Sequence, residues 1–386
     1  MTGPLEFLAP REARSILGIW AAWSLLVVVL ASAAMALPAT TSNSWIAYAN
    51  APPLARWDAV WYRSIAVDGY QYDRKVLQNN VGFYPLYALA AGSLAHVLHT
   101  PLLPTGIALS IVCLGAALLL IGDLFVEWGG PGTGALGAAA LLLYPTAFFF
   151  AAFYTESLFL LLAAATIWGA RRGRWLLAGA AAFGACLTRF NGFLLVPAMA
   201  WYACVSSASS ASPARRAGLL APGVAIAAAL AGAVAYPAYL WRRWGDPLLY
   251  LHSKTQGWAQ NPRPFWALAR DNFWLVMGHL REPAVGGKLM LLAEIASALL
   301  FLGLTVAVFR RGLIGEGLFV GSTLLMLLWS GTLDGIHRYV LMLFPCFLPL
   351  VGALRTRPAL AFGYAFGGAG VGMVLLHRFV HWIHVG

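Results

Sequence analysis

Charge is scarce in this chain: Asp, Glu, Lys and Arg together make up 10% of its 386 residues, against 61% hydrophobic ones. A soluble domain carries about a quarter charged residues, so the scarcity argues against a water-exposed fold and leaves a bilayer as the solvent. Cysteine is sparse as well. Cys113, Cys186, Cys204 and Cys346 are scattered through apolar runs without metal-ligand spacing, which favours a packing role for each. Acidic residues number 14 against 25 basic ones, leaving a formal charge of +11. That excess would suit nucleic acid, but no basic stripe with interleaved aromatics lies outside the apolar segments, so nucleic acid is not an expected partner. A Gly-rich phosphate loop and a repeat of fixed period are also missing, which disfavours nucleotide-sugar chemistry and solenoids.

What the chain does contain is a series of long apolar runs. Arg11 and Arg14 precede an uncharged run from Ser15 to Leu37, long enough to cross the hydrocarbon core at about 1.5 Å per residue. The run exceeds the roughly 7–15 apolar residues of a cleaved signal peptide and reads as a retained signal anchor with a cytoplasmic N-terminus. Further spans are expected near 104–126, 133–152, 157–170, 174–187, 191–205, 218–240, 287–309, 314–330, 338–354 and 359–377. With the first, that makes about 11 transmembrane helices. On this count Arg171-Arg172-Gly173-Arg174, Arg215-Arg216, Arg310-Arg311 and the pair Arg355 and Arg357 all fall on the cytoplasmic side, as the positive-inside bias requires. Counting Phe83–Leu98 as a span would put every one of them outside. That segment contains Pro85 and His96 and opens on an aromatic cluster, so it reads as a juxtamembrane or re-entrant helix. The expected organisation is an all-α polytopic membrane protein: a first span over 15–37, an outer loop with juxtamembrane helices over 38–103, spans over 104–240, an outer loop over 241–287 and C-terminal spans over 288–386. Ser206 to Ser212 reads as a flexible linker.

This topology gathers the polar residues on the outer side. Asp58, Asp68 and Asp73 lie in the first loop, followed by Tyr154-Thr155-Glu156-Ser157, Thr188-Arg189-Phe190-Asn191-Gly192, the loop from Arg242 to Lys288, and Asp334-Gly335-Ile336-His337-Arg338-Tyr339. Each has a structural reading beside a functional one. Asp58 sits in an amphipathic stripe of Trp57, Trp61 and Ile65 and would cap a loop helix, or act as a base. Glu156 opens an apolar span, where a carboxylate suits the helix dipole in any case. Arg189 lies between apolar segments with no acidic neighbour in sequence, and ionisable groups at membrane depth are costly enough to be functional candidates. Arg338 would serve as an interface anchor or as the partner of a lipid phosphate. Asp58, Asp68 and Asp73 show no metal-binding loop pattern, and neither metal nor cofactor is expected.

Several strings, taken in order, resemble the PIG-V mannosyltransferases, which add the second mannose in GPI assembly, and their bacterial relatives. They are Arg56-Trp57-Asp58-Ala59 with Trp61-Tyr62, then Gly69-Tyr70 and Phe83-Tyr84-Pro85-Leu86, then Pro145-Thr146-Ala147-Phe148-Phe149 and Ala152-Phe153-Tyr154-Thr155-Glu156-Ser157-Leu158-Phe159. Thr188-Arg189-Phe190-Asn191-Gly192, Gly245-Asp246-Pro247-Leu248 with Gln256-Gly257-Trp258, and Arg338-Tyr339 with Phe344-Pro345 continue the series, so that the resemblance spans roughly 50–350. The resemblance implies a GT-C fold, an active site opposite the cytoplasm and a polyprenyl-phosphate-mannose donor. It makes Asp58 the general base of an inverting transfer and Glu156 the second acidic position, orienting acceptor or sugar hydroxyls. Fixed cations are needed where charge builds on the leaving phosphate. Arg189 and Arg338 are the expected donor phosphate-binding residues, with His337 as proton donor. Arg56, Trp57, Tyr62, Tyr154, Asn191, Gln256, Trp258, Asp334 and Tyr339 are the expected substrate-binding residues. The acceptor, whether lipid, glycan or protein, is not identified by the sequence, and the alanine- and glycine-rich composition points to a bacterial plasma membrane. A transporter or flippase of lipid-linked sugars would share the composition, but such proteins often carry internal repeats and charges spread through their spans. A subunit that only presents lipid to a partner enzyme is a further rival. Charges collected on one face favour catalysis over both.

Overall fold

The computed structural model describes residues 8–37, 51–208, 215–258, 260–279 and 285–385. Every regular element among them is helical. Apolar runs in a bilayer leave little alternative, because each backbone N–H and C=O must be paired without water and a helix does so within its own segment. The order begins α1 (Pro10–Ala34), α2 (Ala59–Asp68), α3 (Pro85–Leu98), α4 (Leu102–Gly129), α5 (Thr133–Leu142), α6 (Glu156–Arg171), α7 (Trp175–Thr188) and α8 (Val196–Ala208). It continues α9 (Arg215–Trp244), α10 (Leu249–Trp258), α11 (Phe265–His279), α12 (Val285–Arg310), α13 (Ile314–Trp329), the single turn α14 (Ile336–Tyr339), α15 (Phe347–Thr356) and α16 (Pro358–Val380).

The centre of the bundle is built on small residues. α7 packs between α6 and α9, and α6 also lies along α4. A Cβ on Gly179 of α7 would come within 2.8 Å of the Ala225 Cα on α9, and one on Gly232 of α9 within 2.7 Å of the Phe183 carbonyl oxygen. Only bare backbone permits that approach, which is how helices pack tightly where lipid removes the usual hydrophobic drive. Outward faces are apolar instead: Leu25, Leu26 and Val29 of α1 and Phe362, Phe366 and Val374 of α16 are all exposed. Such a surface suits lipid and not water.

Five helices are long and apolar enough to cross a membrane: Pro10–Ala34, Leu102–Gly129, Leu219–Trp244, Met290–Arg310 and Pro358–Val380. A sixth results if Ile336–Met342 and Phe344–Thr356, bent by 87° at their junction, form one broken span. The other apolar helices run 10–17 residues, short of the roughly 20 that a straight span needs. Two expected spans are not continuous helices. The one over 133–152 stops at Leu142, turns at Pro145 and resumes as a 3-10 segment from Ala147 to Ala151; the one over 338–354 breaks around Pro345. Proline lacks the N–H and clashes with the preceding turn, so an apolar run that contains it reads as a span by hydropathy but does not fold as one. The expected outer loop over 241–287 holds two helices, α10 and α11. Of the expected linker over 206–212, residues 209–212 lie outside the described residues, as do 38–50 of the first loop.

Candidate active site

The bend after α5 positions the first half of the site. Thr146 through Ser157 are all buried, consistent with irregular backbone at membrane depth being tolerated only inside protein or along a cavity. The segment carries Tyr154, Thr155 and Glu156 toward the first loop. There Trp57 takes the left-handed conformation, φ 52°, unusual for a bulky residue, and turns the chain so that Asp58 heads α2. The Asp58 N–H donates to Tyr154 Oη at 3.1 Å, and the Tyr154 hydroxyl donates to the Arg56 carbonyl at 3.0 Å. One turn along α2, Tyr62 Oη lies 3.4 Å from Thr155 Oγ1. A single tyrosine thus ties the strained turn to the segment that bears Glu156.

Four charges interlock at this junction. Glu156, the first residue of α6, is fully buried, and its Oε1 accepts from Arg338 Nε at 2.6 Å and from Arg189 Nη1 at 3.1 Å. Arg338 Nη1 donates at 3.0 Å to Oδ2 of Asp58. Arg189 Nη1 also donates to Thr155 Oγ1 at 2.8 Å. Aromatic faces complete the packing: the Arg338 guanidinium lies over Phe149 and Tyr154, and that of Arg189 over Tyr339. Buried charges survive when paired in this way. The two carboxylates differ in access, since the Asp58 side chain is 23% exposed and that of Glu156 is 0%. Asp58 Oδ1 accepts no hydrogen bond among the described residues, and Glu156 Oε2 is buried without a partner among them.

Above the cluster lies a cavity of about 390 Å³ whose wall includes Asp58, Arg189, Asn191, Asp334, Arg338 and Tyr339, with Tyr62 beside Asp58. Lys254 of α10 closes one side. Its Nζ sits 4.0 Å from the centre of the Phe83 ring and 4.3 Å from that of Trp258. Burial pushes this ammonium down to about 8, with Asp58 opposing the shift and Arg338 and Arg189 adding to it. Among the described residues no group of three or more His, Cys, Asp or Glu side chains is placed to hold a metal ion.

Of the residues expected at the site, Asp58, Tyr62, Arg189, Asn191, Asp334, Arg338 and Tyr339 line the cavity. Glu156 and Tyr154 lie directly beneath it and hold the lining groups in place. Asp334 faces the cavity while its Oδ1 accepts from His384 Nε2 at 2.8 Å. Trp258 contributes its ring as the floor under Lys254, stacked edge-on against Trp61 and Phe83. Trp258 thus meets the cavity only through Lys254 and is not on its wall, and four further expected residues point elsewhere. His337 points the other way, its Nε2–H donating to the Val385 carbonyl at 2.8 Å. Arg56 donates to the Val380 carbonyl at 3.0 Å and lies over Trp382. Trp57 packs against Trp382 and His384. Gln256 is exposed. Lys254 is the residue that sequence reasoning passed over. Lysine is rare here, occurring only as Lys75, Lys254 and Lys288, and that rarity within an aromatic stretch is the signal that marks it.

An apolar helical bundle that encloses an interlocked charge cluster beneath a cavity is the construction of a membrane enzyme. Residues 24–216, half of the chain, match the mannosyltransferase (PIG-V) family, and the chain belongs to it. The protein is an integral membrane glycosyltransferase of that family. The matched stretch contains Asp58, Glu156 and Arg189 and ends before Lys254 and Arg338. No curated protein matches the chain.

Proposed function

We propose that the protein transfers a mannosyl residue from a polyprenyl-phosphate donor to an acceptor hydroxyl, inverting the anomeric carbon, at the extracytoplasmic face of a GT-C bundle of about 11 spans. One observation carries the chemistry: within the four-charge cluster, Asp58 is the only carboxylate that opens into the cavity. It acts as the general base. The acceptor oxygen attacks the anomeric carbon, its proton passes to Asp58 Oδ1, the bond from that carbon to the phosphate oxygen breaks, and the electron pair leaves with the phosphate. The acceptor approaches from the face opposite the leaving group, so the configuration inverts.

The cluster is arranged to follow the charge. Before reaction Arg338 is shared between Asp58 and Glu156. As Asp58 takes up the proton it loses its negative charge, and Arg338 is left with positive charge unmatched at the moment the phosphate gains negative charge. A preset cation of this kind is worth about 10²–10³ in rate. Glu156, out of reach of any sugar, is a positioning residue that fixes the directions of Arg338 and Arg189. The outer-face assignment is supported by α6, which has Glu156 at one end and Arg171 at the other, and by the arginine-rich turn that follows, which the positive-inside bias puts in the cytoplasm. The test is transfer by purified protein in proteoliposomes, with membranes of a deletion strain as acceptor source. Label is expected to pass from polyprenyl-phosphate mannose with inversion and not from nucleotide-activated mannose; retention of configuration, or use of the nucleotide sugar, overturns the proposal.

A further inference from the structure

We propose that the Lys254 ammonium is the group that grips the phosphate of the lipid-borne donor and so sets where the sugar lies relative to Asp58, an inference that rests on the reaction proposed above. The argument begins with charge. Arg338 and Arg189 are already matched by Asp58 and Glu156, so these four groups sum to zero. Lys254 lines the same cavity, and its Nζ makes no hydrogen bond or ion pair among the described residues. Asp334, the other carboxylate on the cavity wall, is hydrogen-bonded to His384 at 2.8 Å, so among the described residues Lys254 is the wall cation that has no carboxylate partner, and a phosphodiester brings a single negative charge to meet it. On bond breakage the phosphate becomes a monoester carrying about −1.5 to −2. The Arg338 charge released by Asp58 answers that change, while Lys254 holds the phosphate equally before and after it.

The way Lys254 is held points to the same role. Phe83 and Trp258 face its ammonium with their ring electrons, which attract a cation without using up its three N–H donors. The charged groups that face Nζ across the cavity are Asp58 from the head of α2, Arg189 from the turn after α7 and Arg338 from α14. Helix α10 packs on α9 and on the short turn Asn80–Gly82. The turn carries no titratable group, Tyr236 of α9 is turned to Tyr70 and Tyr84, and Tyr239 to Tyr70, and Arg242 and Arg243 are exposed at its far end. On α10 itself Tyr250 packs against Tyr84 and Phe190, and His252 pairs with Asp246 at 2.7 Å. With the ammonium lowered to about 8 by burial, donor grip is present below that pH and lost above it. Bound phosphate shifts the loss upward by linkage.

The test uses the full-length protein in detergent, with polyprenyl phosphate as the binding probe and polyprenyl-phosphate mannose as donor, from about pH 6.5 to 9.5. Wild-type affinity for the probe is expected to fall by about tenfold per pH unit above the lysine titration, as for one required proton. Lys254→Arg, whose guanidinium stays charged throughout, flattens that fall. Lys254→Met, which keeps the stem between the rings, weakens binding at pH 7 by about tenfold or more and removes the pH dependence, with kcat at saturating donor changed far less than KM. If Lys254→Met does not fold, the Lys254→Arg profile decides alone, flat in support and wild-type in refutation. Wild-type affinity in Lys254→Met overturns the proposal; if Asp58→Asn still abolishes transfer in that case, the reaction stands. Lys254-dependent probe binding without transfer by wild-type protein has the opposite meaning: the reaction reading fails and the phosphate site survives.

Discussion

Arg338 touches both carboxylates at once, Nε on Glu156 and Nη1 on Asp58. A planar fork reaches the two acceptors from separate nitrogens in fixed directions, whereas an ammonium offers its donors from a single point without that geometry. Arg338→Lys is therefore expected to lower turnover by about 10²–10³ with the protein still folded. Glu156→Gln removes the fully buried charge that holds both arginines; it is expected to cost about 3–5 kcal/mol of stability and to depress turnover although Asp58 is untouched. Transfer rates and thermal unfolding of the two variants check this, and wild-type behaviour in both would remove the charge cluster from the mechanism. The identities of these residues were legible in the sequence because ionised groups inside apolar runs are costly and stand out. Their directions were not. His337 and Arg338 are neighbours on one turn, about 100° apart around a helix axis, and so one faces Glu156 while the other reaches the Val385 carbonyl. Glu156, expected to orient acceptor or sugar hydroxyls, lies beneath the arginines with its side chain fully buried, a depth that no spacing rule encodes.

Among elements, hydropathy located the apolar runs and misjudged their continuity. Pro145 and Pro345 each sit within a run long enough to be read as a span, and at each the helix breaks and delivers site residues inward. The first of these breaks shapes the candidate site: the bend after α5 carries Tyr154 to the backbone of Asp58. The juxtamembrane reading of Phe83–Leu98 corresponds to α3, 14 residues from Pro85 to Leu98, too short to span alone. The stretch over 241–287, expected as an outer loop, contains the helices α10 and α11. Helix α11 leaves Trp266, Phe273 and Trp274 exposed, the aromatic dress of a segment at a membrane–water boundary. The left-handed turn at Trp57 has no sequence signature at all, since bulky residues seldom adopt it.

At the scale of the whole molecule, α6 separates two polar layers. At its C-terminal end Arg171 meets Glu127, Glu316 and Tyr202, and Arg172 meets Asp123. The 16 residues of α6, at about 1.5 Å each, set this layer roughly 24 Å from the Asp58 cluster. If the arginine-rich layer is cytoplasmic, a cysteine replacing exposed Lys75 reacts with an impermeant maleimide from outside the cell and one replacing exposed Thr356 does not. Exposed Cys204 must first be changed to Ala, the other three cysteines being buried. The reversed labelling pattern would place the active site in the cytoplasm and undo the outer-face assignment.

The central claim, that Asp58 takes the acceptor proton, is tested most directly by Asp58→Asn. Asparagine keeps the shape and a hydrogen bond toward Arg338 but cannot accept the proton. Mannosyl transfer from polyprenyl-phosphate mannose is expected to fall by about 10²–10⁴, while binding of polyprenyl phosphate, measured separately on the same preparation, is retained. Transfer at close to the wild-type rate in Asp58→Asn would contradict the account.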